Sequence, residues 1–120
     1  MGKAITGKQR IYISGPVTDT YDYITRFAEA EKRLKELGYC PVNPVKIAAD
    51  SPYVSEWCYK QYIDNGLELL QDCEGIYLLR GWWNSRGAKL EEHYAKVTGL
   101  KEYEQDLIDR WIHGGAEDEE

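Results

Sequence analysis

Ser85, Arg86 and Glu91 have the types and spacing to work together if a helix begins at Arg86. The apolar run Ile76–Leu79 before them reads as a buried strand, and the period from Arg86 to Thr98 reads as a helix closed by Gly99. The loop between, Arg80 to Ser85, then lies at the carboxyl end of a strand and the amino end of a helix. Ligands of open α/β sheets bind in that place. A helix start offers N–H groups and positive dipole to an anion. Ser85 adds a hydroxyl, Arg86 a fixed positive charge, and Gly87 a backbone N–H without a side chain. Glu91 follows by roughly one turn, where its carboxylate can face the same space. Each residue also has a plainer reading: Ser85 as an N-cap, Trp82 and Trp83 as core, and Glu91 as a solvated acid beside Glu92.

Positioning these groups requires strands and helices in alternation, and the chain supplies them. Arg10–Ser14 is rich in β-formers and reads as the first strand, stopped by Gly15-Pro16. Residues 21–37 carry Ile24, Phe27, Ala28, Ala30, Leu34 and Leu37 at helical spacing, with Gly38 in the C′ place. Tyr39–Val42 reads as a second strand ended by Asn43-Pro44. Residues 45–51 have no strong period and room for a short helical turn. Ser51-Pro52 has the form of a cap followed by an N1 proline, and the helical pattern from there to Asp72 includes Val54, Trp57, Cys58, Tyr62, Leu67 and Leu70. Gly66 falls inside it, where glycine costs about 1 kcal/mol relative to alanine, so a packing or ligand reason is expected. Leu100–Tyr103 reads as a polar edge strand and Asp106–Ile112 as a final helical turn or two.

The order β-α-β-α-β-α, with a possible fourth strand, predicts a single α/β domain of Rossmann or flavodoxin type. It has a parallel sheet of four or five strands, strand one central, with helices on both faces. The domain is expected over residues 10–112, after a polar arm at 1–9 and before an acidic tail at 113–120. Parallel strands one and three end on the same edge. This brings Tyr12 to Thr18, with Gly15 and Pro16, near Trp82 to Glu91.

Composition narrows the function classes. Net charge is −6, and Glu117-Asp118-Glu119-Glu120 supplies four of the negative charges, so a nucleic-acid polymer is not the expected partner. The three cysteines, Cys40, Cys58 and Cys73, are odd in number and include no C-x-x-C pair, which argues against a disulfide framework or zinc knuckle. His93 and His113 lack metal-site spacing. No metal or cofactor is expected. With no apolar run long enough to span a bilayer, no membrane partner is expected and the cytoplasm is the expected location. Ten tyrosines and four tryptophans in a short chain exceed what one small core readily hides, which predicts a homodimer or larger homo-oligomer.

Tyr12-Ile13-Ser14-Gly15-Pro16, Asn43-Pro44 and Gly81-Trp82 with Ser85-Arg86-Gly87-Ala88-x-x-Glu91 together resemble the nucleoside 2-deoxyribosyltransferase-like superfamily, and most closely its small, often phage-encoded branch. The resemblance covers residues 10–99. It implies cleavage of the bond between a ribose or deoxyribose and a base, with the sugar passed to water or to another base. It implies Glu91 as nucleophile, Tyr12 as the residue that orients it or contacts the sugar, and Ser85 as a holder of a 5′-phosphate. Helix geometry favours Glu91 over Glu92, whose side chain points about 100° away, and the N–H groups of Arg86 and Gly87, with the backbone of Gly15, Pro16 and Thr18 nearby, are expected to help hold the anion. Trp82 is expected to wall the pocket. The implied partner is a nucleoside or its 5′-monophosphate.

One position departs from the superfamily pattern. An aspartate that assists the leaving base is expected eight residues before Glu74, and that place holds Gly66. Asp64 is the nearest substitute, but on a regular helix it points about 200° away, so a local bulge would have to swing it in. A nucleotide-binding module that keeps the pocket without turnover is the alternative reading.

Overall fold

Strand β1 (Arg10–Ser14) is the axis of the fold in a computed structural model that describes residues 8–17, 21–51 and 59–108. Four of its five residues are buried. This is the mark of a parallel strand covered on both faces. Beside it lie β2 (Cys40–Val42) and β3 (Gly75–Leu78), and β4 (Lys101–Glu104) closes the far edge. The order is β2-β1-β3-β4 and every pairing is parallel, with Tyr12 opposite Val42 and Ile76, and Ser14 opposite Leu78. The expected parallel α/β sheet is therefore present, with four strands and β1 in its interior.

Side chains alternate across each strand with a period of two. Ile11 and Ile13 of β1, with Tyr77 and Leu79, meet Phe27, Ala30 and Leu34 of α1 (Tyr23–Glu36). Tyr12, Ile76 and Leu78 point the other way, into a second core with Leu70 of α3 (Tyr59–Gln71) and Ala95 of α4 (Arg86–Thr98). Ser14 shares the parity of Tyr12. The two hydroxyls at the carboxyl end of β1 therefore face α3 and α4.

Local chemistry explains the boundaries. α4 begins at Ser85, whose Oγ accepts the Ala88 N–H at 3.1 Å, and stops at Gly99 in the left-handed region, the limits its sequence predicts. The stretch after β2 is more regular than its weak period suggests. Asn43 Oδ1 accepts the N–H groups of Val45 and Lys46, Pro44 takes the first helical position, and α2 (Pro44–Ala49) follows. Tyr39 leaves the β2 ladder and sets its ring against Tyr103, 5.6 Å between centroids. The core face of α1 is narrower than its sequence pattern: Ile24, Ala28 and Leu37 are exposed. The expected helix start at Ser51-Pro52, the core roles of Val54, Trp57 and Cys58, and the acidic tail lie outside the described residues. Residues 105–108 are helical. Cys40 is exposed, and the buried Cys73 thiol donates to the Leu69 carbonyl at 3.4 Å. Among the described residues no helix is long and apolar enough to cross a membrane.

Candidate functional site

In this strand order β2 and β3 flank β1, and the following helices leave on opposite faces. The crevice beyond the carboxyl ends of β1 and β3 is the switch point of the sheet. A cavity of about 880 Å3 occupies it, within the range of small-molecule sites. Its floor is the carboxyl end of β1. Its walls come from α1, α2, α3 and the start of α4.

Glu91, in the second turn of α4, is the buried acid of the site, 8% exposed. Both carboxylate oxygens are held. The Tyr12 hydroxyl donates to Oε2 at 2.8 Å and Ser14 Oγ donates to Oε1 at 2.6 Å. Glu92 turns away, and its carboxylate lies 3.5 Å from the Lys96 ammonium. Burial pushes the Glu91 carboxyl up to about 7, against the pull of the Ser14 and Tyr12 hydrogen bonds. Burial and the adjacent Glu91 charge hold the Tyr12 phenol well above its ordinary value. Tyr12 therefore remains a proton-bearing donor. Ser14 belongs to this triad although only the Tyr12-x-Ser14 alternation hints at it.

Gly66 explains its own presence. It sits on the turn of α3 that faces Glu91, and a Cβ there would lie 2.4 Å from Glu91 Oε2 and 2.6 Å from the Tyr12 hydroxyl. The backbone of α3 is thus the lid against which the carboxylate rests. Gly15 serves a similar close approach, since a Cβ would meet Leu79 Cβ at 2.7 Å. This lets the chain leave β1 tightly and line the cavity with Gly15, Pro16 and Val17.

Ser85, Arg86 and Gly87 line the cavity beside Asn84, at the positive end of α4. The N-cap role and the lining role of Ser85 coexist, because the Oγ that accepts from Ala88 still carries a proton to donate.

Two expected residues fall elsewhere. Asp64 is exposed and takes an ion pair from Lys60 at 2.7 Å, because α3 is a regular helix that turns it away from Gly66. Trp82 is absent from the cavity wall. After Gly81, at φ 86°, a 3-10 turn over Trp82–Asn84 folds it onto the second core cluster, while Trp83 stays half exposed. Thr18 lies outside the described residues. Tyr23, Phe27, Val45, Ala48, Tyr62 and Asn65 line the cavity without having been singled out for it in sequence. Among the described residues no cluster of His, Cys, Asp and Glu is arranged to hold a metal ion.

The buried carboxylate also makes stability depend on pH. The folded carboxyl holds its proton to about 7, against an ordinary 4.5. Between these values the folded chain binds more protons than the unfolded one. The contribution is therefore full below about pH 4.5 and is lost as pH rises through about 7. The difference is about 3 kcal/mol at about 1.4 kcal/mol per unit of pH. Denaturant titrations of the parent and a Glu91→Gln variant should show the variant relatively more stable at pH 8 than at pH 4.5. A constant difference between the two proteins across that range would refute the buried, proton-binding carboxylate.

A search of curated proteins and of solved structures finds no match to this chain. A family pattern does match, over residues 9–103, which reach from just before β1 into β4 and include every site residue described above. The chain belongs to the family described as a domain of unknown function, DUF4406.

Proposed function

We propose that the protein cleaves the N-glycosidic bond of a nucleoside 5′-monophosphate, with Glu91 as nucleophile and water or a second base as acceptor. The observation that carries this reading is the seating of Glu91 at the cavity, both oxygens held by Tyr12 and Ser14, with a helix N-terminus as the other polar wall. A carboxylate in that place can add to an anomeric carbon and stabilise the oxocarbenium-like transition state, as in retaining glycosidases. The Ser85 hydroxyl and the first-turn N–H groups of α4 suit a phosphate. The resemblance to the nucleoside 2-deoxyribosyltransferase-like superfamily supports the same assignment. Incubation with a panel of nucleosides and 5′-monophosphates, followed by chromatography for free base, tests it. Release of no base from any of them refutes it.

Phosphate recognition has its own test. Replacing Ser85 by alanine should weaken monophosphate binding by about 10- to 100-fold, the worth of a hydrogen bond to a charged group, and leave nucleoside binding nearly unchanged. Equal affinity of the parent protein for a nucleoside and its monophosphate, by calorimetry, would remove the phosphate from the reading. A second reading, a nucleotide-binding module without turnover, is favoured by one observation: among the described residues Glu91 is the only carboxylate lining the cavity. Calorimetric binding with no base release would select it.

A homodimer is part of the proposal. Val17, Ile24 and Tyr62 line the cavity and are also exposed, an apolar border suited to a second copy. Sedimentation as a monomer at micromolar concentration would remove this part.

A further inference from the structure

The two oxygens of Glu91 are not equivalent. Oε2 accepts from the Tyr12 hydroxyl and also rests against the backbone of α3, since a Cβ on Gly66 would stand 2.4 Å from it. Oε1 accepts from Ser14 Oγ at 2.6 Å. Ser14 lines the cavity and the Gly66 turn does not. Oε1 is therefore the oxygen that an anomeric carbon can reach. Ser14 itself is held fast. It is 1% exposed, it pairs with Leu78 in the parallel ladder, and its carbonyl accepts the Leu79 N–H at 2.8 Å. Gly15, the next residue, packs directly on Leu79. The hydroxyl thus stands on a rigid strand, already aimed at the reacting oxygen, and needs no reorganisation during reaction.

A hydrogen bond to a carboxylate oxygen is stronger the more charge that oxygen carries. In a displacement through a glycosyl-enzyme, the carboxylate loses its charge in the first step and recovers it in the second. The same Ser14 contact therefore acts oppositely on the two steps. It stabilises the free carboxylate and so opposes attack. It stabilises the departing carboxylate and so favours release.

We propose that Ser14 is a catalytic residue of the second step, donating to Oε1 as the glycosyl ester breaks, an inference that rests on the glycosidase reading above. In the first step Glu91 Oε1 bonds to the anomeric carbon and the carbon–nitrogen bond breaks. Its electron pair stays on the base nitrogen, which takes a proton from water. In the second step water adds to the anomeric carbon and the bond from that carbon to Oε1 breaks. The electron pair returns to Oε1, where the Ser14 hydroxyl meets the growing charge, and the proton of the attacking water passes to solvent. Tyr12 donates to the oxygen that never bonds the sugar and keeps the carboxyl group oriented through both steps.

The test compares the parent with Ser14→Ala and Ser14→Cys proteins on the nucleoside 5′-monophosphate that the parent cleaves fastest. It is run at pH 9, above the value of about 7 to which burial raises the Glu91 carboxyl. Single-turnover base release, by chromatography, reads the first step. Decay of the glycosyl-enzyme, by mass spectrometry of the quenched protein, reads the second. Ser14→Ala should release base in its first turnover at least as fast as the parent. Its glycosyl-enzyme should decay about 10- to 100-fold more slowly, the worth of a hydrogen bond to a charged group, so that the adduct accumulates. Ser14→Cys, with a weaker donor of similar size, should fall between the two. Equal slowing of both steps, slower base release with unchanged adduct decay, or no change in either overturns the role of Ser14 and leaves the glycosidase reading standing. If Ser14→Ala does not fold, the ratio of the two steps in Ser14→Cys decides in the same way. Base release with no adduct on parent or variant overturns the covalent mechanism and this role with it. No base release by the parent overturns the glycosidase reading itself.

Discussion

A Glu91→Gln protein is expected to lose base release by at least about 1,000-fold in kcat, the scale on which removal of a covalent nucleophile acts, while still binding nucleotide. Glutamine keeps the shape of the side chain, and hydroxyl hydrogens can rotate to suit an amide, so the Tyr12 and Ser14 contacts have a substitute partner. What it lacks is an oxygen able to add to the anomeric carbon. The parent rate should rise through about pH 7 as the buried carboxyl ionises. The Glu92→Gln control should change little, because Glu92 lies against Lys96 on another side of α4. Initial rates across pH 5 to 9, with calorimetric binding of the same nucleotide, check all of this. A Glu91→Gln protein that turns substrate over near the parent rate would end the covalent mechanism.

The second large effect is expected at Gly66, with a sign opposite to the usual one. Within a helix, glycine to alanine ordinarily stabilises by about 1 kcal/mol. Here the new Cβ would stand 2.4 Å from Glu91 Oε2 and 2.6 Å from the Tyr12 hydroxyl. Neither atom is a loose end: each is buried, and the two are bonded to one another. Either α3 must move outward or the Tyr12–Glu91 bond must break. Overpacking of this kind costs about 1 to 3 kcal/mol, so Gly66→Ala should destabilise on balance. Displacement of the carboxylate by about 1 Å should also lower turnover by about 100-fold. Gly66→Asp should do worse, since the larger side chain meets the same oxygen and adds a second charge beside it. Denaturant midpoints and kcat for the Gly66→Ala protein decide the matter. A variant more stable than the parent and fully active would show that α3 does not rest on Glu91.

The sequence by itself determined the parts whose information is local. α4 could be delimited because Ser85 and Gly99 are cap residues at the ends of a helical period. β1 and the parallel sheet could be read because an apolar run of β-formers must be covered on both faces and the helices alternate with the strands. The approach of the Tyr12 region to the loop before α4 followed from parallel strands ending on one edge. Glu91 and Glu92 could be told apart because neighbours on a helix point about 100° apart. Tertiary structure alone decided what depends on atoms meeting across the fold. Ser14 joins Glu91 across 77 residues of chain, and no local pattern encodes that meeting. Gly66 looks like a helix defect until α3 is laid against α4, when its missing side chain becomes the space that a carboxylate and a phenol occupy. Trp82 sits in a loop beside the cavity, but the chain turns at Gly81, in the left-handed region, and lays it half-buried against the second core cluster. The helical period placed Asp64 away from Gly66, and only the docking of α3 on the sheet decided that this direction leads to solvent. Periodicity gives a side chain its direction relative to its own element; what lies in that direction is set by packing.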